Sequence, residues 1–153
     1  MSGDLAGQPE DRLYADDLVV GVPTALGRRT VTTQEIVDFA SAWDPQPFHV
    51  DEEAGRSSRF GTIIGSGLHT MAIFQRMAVE NAYSRWAVIA GRAIRDVQLT
   101  APLRPGATVT GTLTITAIVP VDSQRSLVSK RGLVHDGDVQ LLSMELDSYI
   151  ARR

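Results

Sequence analysis

Thr108-Val109-Thr110-Gly111-Thr112-Leu113-Thr114-Ile115-Thr116 alternates threonine with small or apolar residues at a period of two. Successive side chains of a strand point to opposite faces, so this segment reads as a strand with one apolar and one hydroxyl-rich face. It belongs to a series. Residues 88–99, 108–121, 126–134 and 139–151 are all rich in β-branched or alternating residues. Asp136-Gly137 is a hairpin signal between the last two, and Pro102 with Pro105-Gly106 marks another tight connection. Before the strands, Leu68, Met71, Ala72, Phe74 and Ala78 predict a long, mostly buried helix from Ser66-Gly67 to about Tyr83. A first structured element near Leu18-Val19-Val20 and a short strand over 27–31 precede it. The order predicts an α+β fold, one antiparallel sheet curled around one long helix.

Composition is that of a single globular domain: 153 residues, 43% hydrophobic and 22% charged. A chain of this size buries about 68–70% of its unfolded surface and needs no covalent staple. The absence of cysteine excludes a disulfide, a thiolate nucleophile and a cysteine-ligated metal. A formal net charge of -3 and the lack of a basic run set nucleic acid aside as a partner. No segment reaches membrane-spanning length, and no secretory signal is legible near Met1, which leads to an expectation of a cytoplasmic protein. Residues 1–14 are expected to be a disordered leader and 15–153 the domain.

Asp44-Pro45-Gln46-Pro47-Phe48-His49 holds the candidate chemistry. Thr32 and Glu35 stand at capping-box spacing, and Ile36, Phe39 and Ala40 share one face of a helix that runs to Trp43. That helix delivers Asp44 at its C-terminal end, where the negative end of the dipole is expected to raise the carboxyl pKa. The two prolines fix φ and are expected to deny the segment a helix, leaving a stiff loop with an acid and a base. Proton transfer needs such groups within hydrogen-bond reach of the reacting atoms. Taken alone, Asp44 has an ordinary reading as a turn residue, and His49 as a half-buried histidine. His69 in the long helix is read as structural, and Met71 and Met77 as core filler.

The combination is more specific than its parts. Asp44, Pro47 and His49, followed by the small residue Ala54 and by Gly67 at the head of the long helix, resemble the MaoC-like dehydratases. These include (R)-specific enoyl-CoA hydratases. The chain departs from that pattern at Gln46, where asparagine is usual, and at Ser66, where histidine commonly precedes the glycine. The resemblance implies a hot-dog fold and a hydratase or dehydratase acting on an acyl-CoA thioester. Asp44 and His49 are then the catalytic pair, the Gly67 N–H is the oxyanion donor, and Gln46, Pro47 and Ser66 bind substrate. It also implies a homodimer or higher assembly, with coenzyme A entering only as part of the substrate and no metal or other cofactor.

Physical chemistry supports a role for each. Hydrating an α,β-unsaturated thioester requires a proton taken from water, a proton given to Cα and a donor for the enolate oxygen. The first N–H groups of a helix lack internal partners and favour an anion, although Gly65 and Gly67 could equally serve only the turn. Ser66 is read first as a helix cap. Arg92, Arg95, Arg104, Lys130 and Arg131 are available to coenzyme A phosphates, and most are expected to be solvated. A thioesterase and a non-catalytic acyl-binding subunit are the competing readings. The first lacks an acid early in the long helix, since Glu80 lies near its far end, and the second is expected to have lost Asp44 or His49.

Overall fold

The computed structural model describes residues 11–153. Most of the expected leader therefore lies outside the described residues. Within them, Leu13 bridges to Trp86 and a 3₁₀ turn spans Ala15–Asp17. Strand β1 covers Thr24–Thr30, and three helices follow: α1 at Thr33–Trp43, α2 at Pro47–Val50 and α3 at Glu52–Ser57. The long helix α4 spans Gly67–Asn81, and β2 Val88–Leu99, β3 Thr108–Pro120, β4 Arg125–Asp136 and β5 Val139–Ala151 complete the chain. All strand pairs are antiparallel, in the order β1-β3-β4-β5-β2.

Period two decides the sheet. In β3 the side chains of Val109, Leu113 and Ile115 are buried, and the threonines between them are exposed or half-buried. Gly137, at φ 57, opens the two-residue connection that pairs Asp136 with Val139. The sheet curls around α4, which packs over β1, β3, β4 and β5. Phe74 is fully buried at the centre, and its ring lies over Gly132 of β4. A Cβ at Gly132 would stand 2.5 Å from Phe74 Cζ, so the backbone there must be bare.

Two expectations about the helices are corrected. The inward face of α4 is His69, Thr70, Ile73, Phe74, Met77 and Ala78, whereas Leu68 and Ala72 face outward. Apolar residues surround most of the helix, so hydrophobicity alone does not choose the face. The choice is made where the N-terminal half of α4 meets α1, with the His69 ring stacked on Phe39 at 4.5 Å. The second correction concerns the prolines: Pro47 does not prevent a helix but starts α2 at its first turn. An N–H is unpaired at that position in any case, and proline's φ suits it.

Replacing Gly132 with valine is expected to destabilise the protein by about 1–3 kcal/mol, the scale of overpacking a filled core. Chemical denaturation of the variant beside wild type checks it; equal midpoints would contradict the Phe74–Gly132 contact.

Candidate active site

Local capping positions the acid. Thr32 accepts from the Glu35 N–H at 3.1 Å and donates its own N–H to the Glu35 carboxylate at 2.9 Å, so the expected capping box starts α1. Asp44 ends that helix, its N–H donating to the Ala40 carbonyl at 2.8 Å. From there the one-turn helix α2 brings His49 back toward Asp44, with the His49 N–H donating to the Gln46 carbonyl at 2.9 Å.

The imidazole is held more tightly. His49 is 5% exposed, and its Nδ1 lies 2.6 Å from the Ile64 carbonyl oxygen. A carbonyl can only accept, so Nδ1 carries a proton, and in the neutral form of the ring Nε2 is the acceptor. Nε2 stands 3.4 Å from Asp44 Oδ2. The main chain supports this placement: the Ile64 N–H donates to the Phe48 carbonyl at 3.2 Å, and the Gly65 N–H to the Leu103 carbonyl at 2.8 Å.

Ser66 and Gln46 complete the setting of Asp44. Ser66 Oγ donates to Oδ2 at 2.7 Å, and Gln46 Nε2 donates to Oδ1 at 2.8 Å. These bonds, with Ser66 the larger effect and Gln46 next, hold the Asp44 carboxyl below its usual pKa. The expected upward shift from the helix dipole is thereby corrected. Asp44 is the capping residue of α1, but both of its oxygens are claimed by side-chain donors. Ser66 also caps α4, accepting from the Leu68 N–H at 3.2 Å, so one hydroxyl performs both tasks considered for it.

Gly67 is the first residue of α4, and its N–H has no acceptor among the described residues. It lines a cavity of about 320 Å³ together with His49, Thr70, Phe60 and Leu99. An ideal Cβ on Gly67 would collide with Leu99 Cδ1, so the glycine is required by close packing as well as by the turn. Leu99 is not legible as a site residue in the sequence, because an exposed leucine at a strand end carries no signal of a distant partner.

Structure thus gathers Asp44, His49, Gln46, Ser66 and Gly67 in one place. Of the predicted residues His49 and Gly67 line the cavity, whereas Asp44, Gln46, Ser66 and Pro47 do not, and Pro47 shapes α2. His69 is buried and stacked, with its pKa lowered by burial, and does not line this cavity. Among the candidate basic residues, Arg95 pairs with Asp147 and Arg131 with Glu145, each at 2.8 Å. Lys130, by contrast, is 1% exposed and departs from the expected solvated surface.

The family described as MaoC like domain matches residues 20–136. The chain belongs to that family. A MaoC-like dehydratase from Rhodospirillum rubrum, known from its crystal structure, superposes with a TM-score of 0.84 and 33% identity, covering 92% of this chain and 98% of that one. The (R)-specific enoyl-CoA hydratase of Rhodospirillum rubrum is 28% identical over 108 residues, 70% of this chain and 72% of that protein. The uncharacterized protein YdeM of Bacillus subtilis is 32% identical over 90 residues, 59% of this chain. That match spans 64% of YdeM, less than two thirds of its length. Membership of the MaoC-like family, with its hot-dog fold, supports hydratase or dehydratase chemistry at the level of the family.

Ser66→Ala removes a donor that favours the charged carboxylate, so the Asp44 pKa is expected to rise toward its ordinary value. Carbon-detected NMR titration of the Asp44 carboxyl reads this directly. A midpoint unchanged from wild type would show that the Ser66 bond does not tune the acid.

Proposed function

We propose that this protein is a hydro-lyase that adds water reversibly across the double bond of a trans-2-enoyl-CoA, or a related acyl thioester, to give a 3-hydroxyacyl thioester. The observation that carries the reading is the pairing of Asp44 Oδ2 with His49 Nε2 at 3.4 Å, with the other ring nitrogen tied to Ile64. In the neutral-imidazole state both facing atoms are acceptors. A water between them can donate one hydrogen to each, which leaves an oxygen lone pair free to attack C3.

As the C3–O bond forms, one water proton passes to the pair and the π electrons move onto the thioester oxygen as an enolate. A proton from the pair then goes to Cα and the carbonyl re-forms, so the pair ends with the proton count it began with. Asp44 and His49 act as a coupled unit in this cycle. The Gly67 N–H, at the positive end of α4 and facing the same cavity, is the donor for the enolate oxygen. Coenzyme A takes part as a portion of the substrate, and the cycle calls on no other cofactor.

Thioester hydrolysis is the weaker reading. The one carboxylate on α4, Glu80, is 13 residues beyond Gly67, about 20 Å along a helix, and is engaged by Arg76 at 2.5 Å. A second copy of the chain is the expected partner. Its support is β2, which among the described residues pairs with β5 alone and leaves Ile89 52% exposed.

Asp44→Asn and His49→Ala are each expected to lower turnover of an accepted enoyl-CoA by about 10²–10⁴, the usual scale for loss of general acid–base catalysis. Steady-state loss of the enoyl-thioester absorbance measures it, with circular dichroism to confirm the fold. Wild-type rates in either folded variant would remove the mechanism.

A further inference from the structure

A second cavity, of about 510 Å³, opens beside the same two elements that wall the catalytic one. Helix α4 contributes Thr70 to the catalytic cavity and Gln75 to the second, while β2 contributes Leu99 to the first and Ile94 to the second. Five strand residues separate Leu99 from Ile94, about 17 Å along β2. Both cavities thus draw on the same helix and the same edge strand.

The second cavity contains a charge that the catalytic mechanism does not use. Lys130 of β4 lines it and is 1% exposed, with Nζ donating to Ser148 Oγ at 2.7 Å. The ammonium lies over the Tyr83 ring, 4.7 Å from its centroid, and 6.0 Å from that of Trp86. Among the described residues no carboxylate is within ion-pair distance of it. Asp147 is the one acidic residue in the lining, but Arg95 holds both its oxygens, at 2.8 and 2.9 Å. Register separates them further: Lys130 pairs with Leu146 and Ser129 with Asp147, so the Lys130 and Asp147 side chains leave opposite faces of the sheet.

Burial lowers the Lys130 pKa to about 8, which still leaves the ammonium mostly protonated at pH 7. A buried ammonium without a direct ion pair is costly, and Asp147 offsets this one only from the other face of the sheet, so the cavity favours an anion. A second polar group is unsatisfied in the same wall: Tyr83 Oη is buried and has no hydrogen-bond partner among the described residues. Arg92, exposed and without an ion pair among the described residues, also lines this cavity. An apolar chain end would offer no acceptor to Tyr83 Oη or Arg92, and none to Lys130 beyond Ser148.

We propose that the acyl group of the substrate carries a carboxylate at its far end, and that this carboxylate is received in the second cavity by Lys130, with the Tyr83 hydroxyl as a second donor. The inference rests on the hydro-lyase reading for the identity of the thioester, but not for the existence of the anion site.

The test uses the purified protein in its native assembly and two trans-2-enoyl-CoA substrates of equal chain length, one ending in a methyl group and one in a carboxylate. Wild type is expected to favour the carboxylated substrate by about 10- to 100-fold in kcat/KM, the range of one charged hydrogen bond. Lys130→Met, similar in length and apolar, is expected to abolish that preference by removing the gain made with the carboxylated substrate. No preference in wild type would overturn the proposal. So would an equal loss with both substrates in the variant, which would assign Lys130 to the coenzyme A phosphates. If Lys130→Met does not fold, the wild-type comparison decides alone. Calorimetric binding of the two saturated analogues separates this site from the chemistry: a preference for the carboxylated analogue without turnover of either enoyl substrate would uphold the anion site and remove the hydro-lyase reading. Equal binding of the two analogues would overturn the site.

Discussion

The hydrogen bond from His49 Nδ1 to the Ile64 carbonyl, at 2.6 Å in a buried setting, is the constraint on which the site depends. It selects the tautomer, and through the tautomer it decides what Nε2 presents to Asp44. It also ties two segments that the sequence separates by fifteen residues. On one side is α2, started by Pro47; on the other is the run 63–65, anchored to Leu103 by the Gly65 N–H. Losing the bond would release the ring and uncouple α2 from the chain that leads into α4.

Ser66 links this arrangement to the long helix. Its hydroxyl donates to Asp44 and receives the Leu68 N–H, so the acid and the start of α4 are positioned by a single fully buried atom. Gln46 secures the second carboxylate oxygen. These are the two positions at which the chain departs from the MaoC-like pattern it resembles, and here both serve the acid. Charge-favouring bonds hold the Asp44 pKa down, and the Gly67 N–H at the head of α4 has no acceptor among the described residues.

Much of this was legible before the structure because it follows local rules. Alternation placed all four long strands, the Thr32–Glu35 spacing placed α1, and the Asp44-to-His49 motif marked a carboxylate and an imidazole that meet in the structure. Distant contacts were not legible. The Ile64 carbonyl, Leu99 against Gly67 and the inward face of α4 depend on which elements meet, and no periodicity records that. The Asp44 pKa was misread for the same reason: the helix dipole is a local property, but the donors that prevail arrive from elsewhere in the chain. Lys130 looked like a surface lysine because a charge in an alternating strand normally faces water.

Hydration of an enoyl thioester carried out in D₂O tests the central claim most directly, with mass spectrometry of the product and an assay for free thiol. The account predicts a 3-hydroxyacyl thioester with one solvent deuterium on Cα, no thiol release, and loss of both signals together in Asp44→Asn. Thiol release with an intact double bond would contradict it, since water would then have attacked the thioester carbonyl and not C3.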